Sequence, residues 1–276
     1  MPADILTIAL VTEVFHGEGR DERLRALLVE ARSFGAELAV LPELPLDPWF
    51  PCSRETRDTD AEPPEGPRHR ALAAAAAAAG VAMLGSAVVR DPATGRRHHT
   101  ALLFSRDGRL LGSHRKAHVP HEEGYWEADH YEPGDEPPAV IAGLDMPVGI
   151  QLCSDVQRPA GTNTLAALGA EAVLCPRCTP EVSYPRWRLV LQANAVTSAA
   201  YVISVNRPRP EGGVPIGGPS LAIAPDGAVL VETTDPLAVV SLDRSVVRRA
   251  HLDYPGYLPV RAALYATGWR RVGRET

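Results

Sequence analysis

Short apolar runs alternate with helical stretches along the whole chain, and this alternation is what most constrains the fold. Ile5–Val11, Leu38–Leu41, Val81–Val89, Thr100–Phe104, Val148–Leu152, Ala172–Cys175, Tyr201–Val205, Ser220–Ala224, Ala228–Val231 and Val239–Leu242 read as strands. Helices fall between several of them. Asp21–Phe34 carries Leu24, Leu27, Leu28 and Ala31 at helical spacing, with Gly35 as its stop. Pro67–Ala79 is alanine-rich and closed by Gly80, Pro185–Ser198 opens on proline, Leu165–Leu168 is the apolar part of a short helix, and Ser245–Ala250 begins another. Asp107-Gly108 and Asp226-Gly227 each separate two runs, as a tight hairpin turn requires. Hairpins interleaved with strand–helix–strand units predict an α/β fold: a mixed sheet, or two packed sheets with helices outside. No fixed repeat and no long linker divides the chain, so residues 1–276 read as one domain. Arg54–Arg68 reads as a polar surface loop, and the tail from Asp253 (about 253–276), rich in Pro, Tyr and Arg, as a segment crossing another surface.

A chain of 276 residues buries enough surface to need no covalent staples. Its 28 Lys and Arg against 34 Asp and Glu give a net charge of -6, which argues against a general nucleic-acid binder. Four cysteines do not make a disulfide scaffold. Met1 to Val11 has no Lys or Arg ahead of its apolar stretch, unlike a secretory signal. Ala71–Leu84 falls short of the ~18 apolar residues that suggest a membrane span. A cytoplasmic protein with reduced thiols, no nucleic-acid partner and no membrane partner is expected.

Three reactive side chains stand just after, or close to, short apolar runs: Glu43 after Leu38–Leu41, Lys116 after Leu110-Leu111, and Cys153 after Val148–Leu152. In α/β sheets ligands gather outside the carboxyl ends of strands, where these three can converge. Together they suffice for acyl transfer. A free thiol is only a few per cent thiolate at pH 7, so it needs a base, and Glu43 can serve. Lys116 and the backbone N–H of Ser154 can face the oxyanion of a tetrahedral intermediate. Each residue taken singly also has a bland reading: a core cysteine, a solvated glutamate, an exposed lysine.

The contexts resemble those of the nitrilase superfamily, the carbon–nitrogen hydrolases. Leu41-Pro-Glu43-Leu44 with Asp47-Pro48-Trp49-Phe50 resembles the glutamate motif, His114-Arg-Lys116-Ala-His-Val-Pro120 the lysine motif, and Gly149-Ile-Gln-Leu-Cys153-Ser-Asp155 the nucleophile elbow. Tyr131-Glu-Pro133-Gly134-Asp135, Ser204-Val-Asn206-Arg207 and Gly218-Pro-Ser220 extend the match over nearly the whole chain. The resemblance implies a four-layer α-β-β-α sandwich of two mixed sheets. It implies homodimers or higher homo-oligomers in which the tail packs at a subunit interface, and chemistry that needs no cofactor or metal. Gly124-Tyr125-Trp126-Glu127 resembles a segment of the N-carbamoylputrescine amidase and N-carbamoyl amino acid amidohydrolase branches. It implies a fourth catalytic residue, Glu127, positioning Lys116, with Glu122 and Glu123 as alternatives.

Ser154, Arg158 and Ala160 depart from the family pattern after the nucleophile and bear on the substrate. Trp49, Arg158 and Arg177 are the candidate substrate-binding residues, an arginine being suited to a carboxylate. The competing reading of both arginines is exposure or pairing with nearby Asp and Glu. The expected reaction is hydrolysis of a linear amide or N-carbamoyl compound. A nitrilase acting on C≡N, an N-acyltransferase and an inactive binding or regulatory protein of the same fold are the alternatives. His114, His118 and His121 have metal-ligand spacing only on a helix, which Pro120 argues against. Cys175-Pro-Arg-Cys178 has no second pair for zinc and reads as structural.

Overall fold

A computed structural model describes residues 4–272, so residues 273–276 of the tail lie outside the described residues. In chain order the first half runs β1 (Ile5–Val11), α1 (Arg20–Ser33), β2 (Leu38–Val40), α2 (Pro67–Ala79), β3 (Ala82–Arg90), β4 (Arg97–Phe104) and β5 (Leu110–Arg115). After the single turn α3 (Glu127–His130), the second half repeats that order. It runs β6 (Val148–Ile150), α4 (Pro159–Ala167), β7 (Ala172–Arg177), α5 (Tyr184–Ser198), β8 (Tyr201–Asn206), β9 (Ser220–Ile223) and β10 (Val229–Thr233). β11 (Leu237–Asp243), α6 (Arg244–Ala250) and α7 (Ala262–Val272) close the described chain.

The strands form two mixed sheets, ordered β11-β1-β2-β3-β4-β5 and β10-β9-β8-β7-β6. In each half three strands run parallel and the next turns back antiparallel. Strand alternation sorts the side chains. Leu6, Ile8 and Leu10 of β1 and Leu38 and Val40 of β2 share one core between the sheets with Val148, Ile150, Ala172, Leu174 and Ile203. Ala9, Val11, Ala39 and Met83 face outward onto Leu24, Leu28, Leu72 and Ala76 of α1 and α2. On the second sheet, Cys175, Val202 and Leu221 face Leu191 and Ala195 of α5. The result is the α-β-β-α layering expected from the sequence.

Three local differences from the sequence reading have physical causes. β4 starts at Arg97, because His98 and His99, polar in sequence, are buried on the sheet. α4 spans Pro159–Ala167, starting well before Leu165, since Pro159 is preset for a first helical turn. β7 continues through Pro176, because β6 stops pairing at Leu174 and that side of β7 has no ladder left to break. No helix among the described residues is long and apolar enough to cross a membrane. Leu252, Tyr254, Tyr257, Leu258, Leu264, Tyr265 and Trp269 of the tail are exposed in the single chain.

Candidate active site

Glu43, Lys116 and Cys153 lie just beyond the carboxyl ends of β2, β5 and β6, and each is buried. The Lys116 ammonium donates to Glu43 Oε1 at 2.7 Å and to Glu127 Oε2 at 2.5 Å. Glu127 opens α3, and Tyr131, one turn on, donates its hydroxyl to the same Oε2. Glu122 and Glu123, the alternatives to Glu127, are exposed. Burial by itself would lower the Lys116 pKa, but Glu127 and Glu43 outweigh it and hold the ammonium well above its ordinary value. Burial raises Glu127, and the charge of Lys116 opposes this only in part, leaving its pKa at about 7.

Cys153 sits at the start of a short 3₁₀ turn with φ of 46°. That left-handed backbone is rare for a residue with a side chain and marks a sharp elbow between strand and turn. Burial pushes the thiol pKa well up, the Glu43 carboxylate adds to this, and Lys116 pulls the other way. These influences together favour the protonated thiol. Glu43 Oε2 is buried and accepts no hydrogen bond among the described residues. The Ser154 backbone N–H has no protein acceptor among the described residues.

Asp155, two residues past the thiol, ties the elbow to the lysine loop. Its carboxylate takes the backbone N–H groups of Leu152, Ala117 and His118, and lies within 3.0 Å of His118 Nδ1 and 2.8 Å of His114 Nε2. Burial opposes its charge, but the His114 and His118 bonds and the field of Lys116 outweigh burial and keep Asp155 well below the usual carboxylate range. Arg207 braces the glutamate loop by donating to the carbonyls of Glu43, Leu44 and Asp47 while pairing with Glu211. The sequence reading singled out none of these roles, although Asp155 and Arg207 both fall inside quoted motifs.

Glu43 and Glu127 also share a buried neighbourhood with His99, their ligand atoms lying within 4.8 Å of one another. Such a set could hold a metal, but Lys116 already places a cation between the two carboxylates. His114 and His118 converge on Asp155, while His121 turns toward Asp129. All four cysteines are free, and Cys175 and Cys178 pack in different apolar clusters.

Trp49 is buried in an apolar cluster with Leu44, Tyr125, Cys178, Val214 and Ile216, and its indole N–H is used by the Gly124 carbonyl at 2.9 Å. Arg158 is exposed at the start of α4. Arg177 is fully buried, and its three nitrogens donate to Ser204 Oγ, Thr179 Oγ1 and the Pro219 carbonyl. It is neither exposed nor paired with a carboxylate among the described residues, and three of its five N–H groups are taken up by these oxygens. The reason is that β7 extends to Arg177 and carries its side chain into the sheet's own packing.

The carbon–nitrogen hydrolase family model matches residues 18–251. The chain is 26% identical to a beta-ureidopropionase of Arabidopsis thaliana over 67% of its own length and 46% of that protein's. It is 26% identical to a chloroplastic omega-amidase of the same plant, over 86% of this chain and 66% of the other. The match thus spans about half to two thirds of these relatives. Among solved structures, an amidase from Nesterenkonia sp. carrying the acetamide moiety of fluoroacetamide on its active-site cysteine superimposes with a TM-score of 0.78. The two chains are 26% identical, and 96% of each is covered. With a family model matched over most of its length, the chain belongs to the carbon–nitrogen hydrolases of the nitrilase superfamily.

Proposed function

We propose that the protein hydrolyses a non-peptide C–N bond in a small linear amide or N-carbamoyl compound through a thioester on Cys153. The observation that carries this reading is the buried Lys116 ammonium bound by Glu43 and Glu127, with the buried Cys153 thiol among its electrostatic neighbours. Glu43 takes the Cys153 proton as Sγ attacks the substrate carbonyl carbon. The C=O π bond opens onto oxygen, and the oxyanion is met by Lys116 and the Ser154 N–H. The tetrahedral intermediate collapses, the C–N bond breaks, and the amine leaves with the proton held by Glu43. Glu43 then takes a proton from water as the water oxygen attacks the thioester carbon, the C–S bond breaks, and the departing thiolate takes that proton back from Glu43 as the acid is released. Glu127 keeps the ammonium aimed and does not itself transfer a proton. The relatives described above support hydrolysis of amide and ureido-type C–N bonds.

The test is ammonia or amine release from a panel of aliphatic amides, N-carbamoyl amino acids and N-carbamoyl amines, set against a nitrile panel. Turnover of amides or N-carbamoyl compounds that vanishes in Cys153→Ala is the expected result. Turnover confined to nitriles, or turnover that survives Cys153→Ala, rejects it.

A further inference from the structure

His99 is fully buried on β4, with a hydroxyl at one ring nitrogen and a carboxylate near the other. Nε2 lies 3.0 Å from Ser86 Oγ, and that hydroxyl also accepts the Leu44 N–H at 2.8 Å. Nδ1 lies 3.5 Å from Glu43 Oε1 and has no hydrogen-bond partner. Burial and the charge of Lys116 keep the ring neutral, so it carries one proton. Ser86 can serve either tautomer, by donating to Nε2 or by accepting from it. Glu43 decides between them. A bare Nδ1 lone pair would face a carboxylate oxygen across 3.5 Å of dry protein, whereas an Nδ1–H is attracted to it.

We propose that His99 is a positioning residue for Glu43, present as the Nδ1–H tautomer that the facing carboxylate selects, with Ser86 donating to Nε2. This inference rests on the reading of Glu43 as the base. At rest 3.5 Å is too long for a full hydrogen bond, and Glu43 Oε1 is served by Lys116. When the ammonium is drawn toward the oxyanion, Oε1 loses part of that partner. Nδ1–H is then the nearest replacement donor, and contacts of this kind tighten as the reacting complex forms. The other charged or titratable groups that face this pair are Glu127 and Tyr131 on and just past α3, Cys153 and Asp155 on the elbow, His114 on β5, and Arg207 past β8. None of their side chains donates a hydrogen bond to the Glu43 carboxylate.

The experiment measures the limiting rate, at saturating p-nitrophenyl acetate, at which Cys153 is acylated from pH 4.5 to 9, read as nitrophenol released beyond that of Cys153→Ala. This attack on a carbonyl builds the oxyanion that draws the ammonium, and the experiment needs no knowledge of the substrate. It compares wild type, Glu43→Gln, His99→Asn, His99→Gln and His99→Leu, with a melting temperature for each. An asparagine amide can occupy the Nδ1 position and a glutamine amide the Nε2 position. Loss of a donor weakens the charged carboxylate, so the acid limb of the profile moves to higher pH. His99→Leu and His99→Gln are expected to move it up by about one pH unit, the scale of one hydrogen bond to a charged group, with His99→Asn close to wild type. A limb that stays in place in His99→Gln and His99→Leu, or that moves equally in all three variants, overturns the inference. If His99→Leu does not fold, the Asn and Gln pair decides alone. Glu43→Gln separates the two ideas: if it keeps the wild-type acid limb, the base reading itself fails. If it abolishes the limb while the His99 variants leave it in place, only the role of His99 fails.

Discussion

Asp155 accepts the backbone N–H of His118 at 2.8 Å, which fastens the nucleophile elbow to the strand end that carries Lys116. Cys153 and Lys116, from opposite sheets, are thereby held in register by a carboxylate that hydrogen-bonds neither the thiol nor the ammonium.

An amide at position 155 keeps the shape but cannot accept every donor that now points at it. Asp155→Asn is expected to destabilise the protein by about 3 kcal/mol or more, the cost of stranding buried donors around a lost charge. Urea unfolding measures this. The sign with pH follows from the depressed folded pKa of Asp155. Its stabilising contribution is fully present above the unfolded value of about 3.9 and is lost as pH falls below that toward the folded value. On the Asp155 carboxylate's account the gap between wild type and Asp155→Asn should therefore narrow as pH falls below about 4.

Removing the cation between Glu43 and Glu127 leaves two buried carboxylates facing each other. Lys116→Met is expected to lower kcat by about 10²-fold or more through the lost oxyanion partner. It should also make the fold less stable at pH 8 than at pH 5, because only protonation then relieves the pair. Melting temperatures at the two pH values check the second effect independently of any substrate.

Arg177 and Arg158 should behave in opposite ways. Arg177→Ala leaves Ser204, Thr179 and the Pro219 carbonyl without their donor, and a loss of about 3 kcal/mol is expected. Arg177→Lys should rescue little of it, since one ammonium cannot span three directions. Arg158→Ala, at an exposed position, should change stability by less than about 0.5 kcal/mol. If carboxylate-bearing amides are preferred, only Arg158 of the two can erase that preference without unfolding the protein, which kcat/KM on paired charged and neutral amides would show.

The exposed face of the tail calls for a cover. Tyr265, Trp269 and Val272 lie at helical spacing on α7, with Leu264 beside them. Packing of this face against a second copy is the expected outcome. Light scattering should give at least a dimer mass for the wild type and a lower mass for a Leu264→Asp, Trp269→Asp double variant.

What the sequence determined by itself is what depends on neighbours along the chain. A β-rich run ending in Pro42-Glu43, another ending in Cys153, and the Lys116 context are local patterns, and so are the helix stops at Gly35 and Gly80. Hairpins mixed with strand–helix–strand units left one mixed sheet or two packed sheets open, and the resemblance carried by the motifs implied the two-sheet layering. Tertiary structure decided which polar atoms meet. Lys116 reaches Glu43 across 73 positions, and Arg207 reaches the Glu43 carbonyl across 164. His99 was passed over because a polar pair, His98-His99, does not read as strand. Only the packing of β4 between β3 and β5, with Tyr131 against the ring, makes it a buried residue next to Glu43. Arg177 was misplaced for the converse reason: a guanidinium reads as solvent-facing, and only three oxygens assembled from distant segments make its burial affordable. Burial and long-range pairing are properties of the folded whole, and no local pattern carries them.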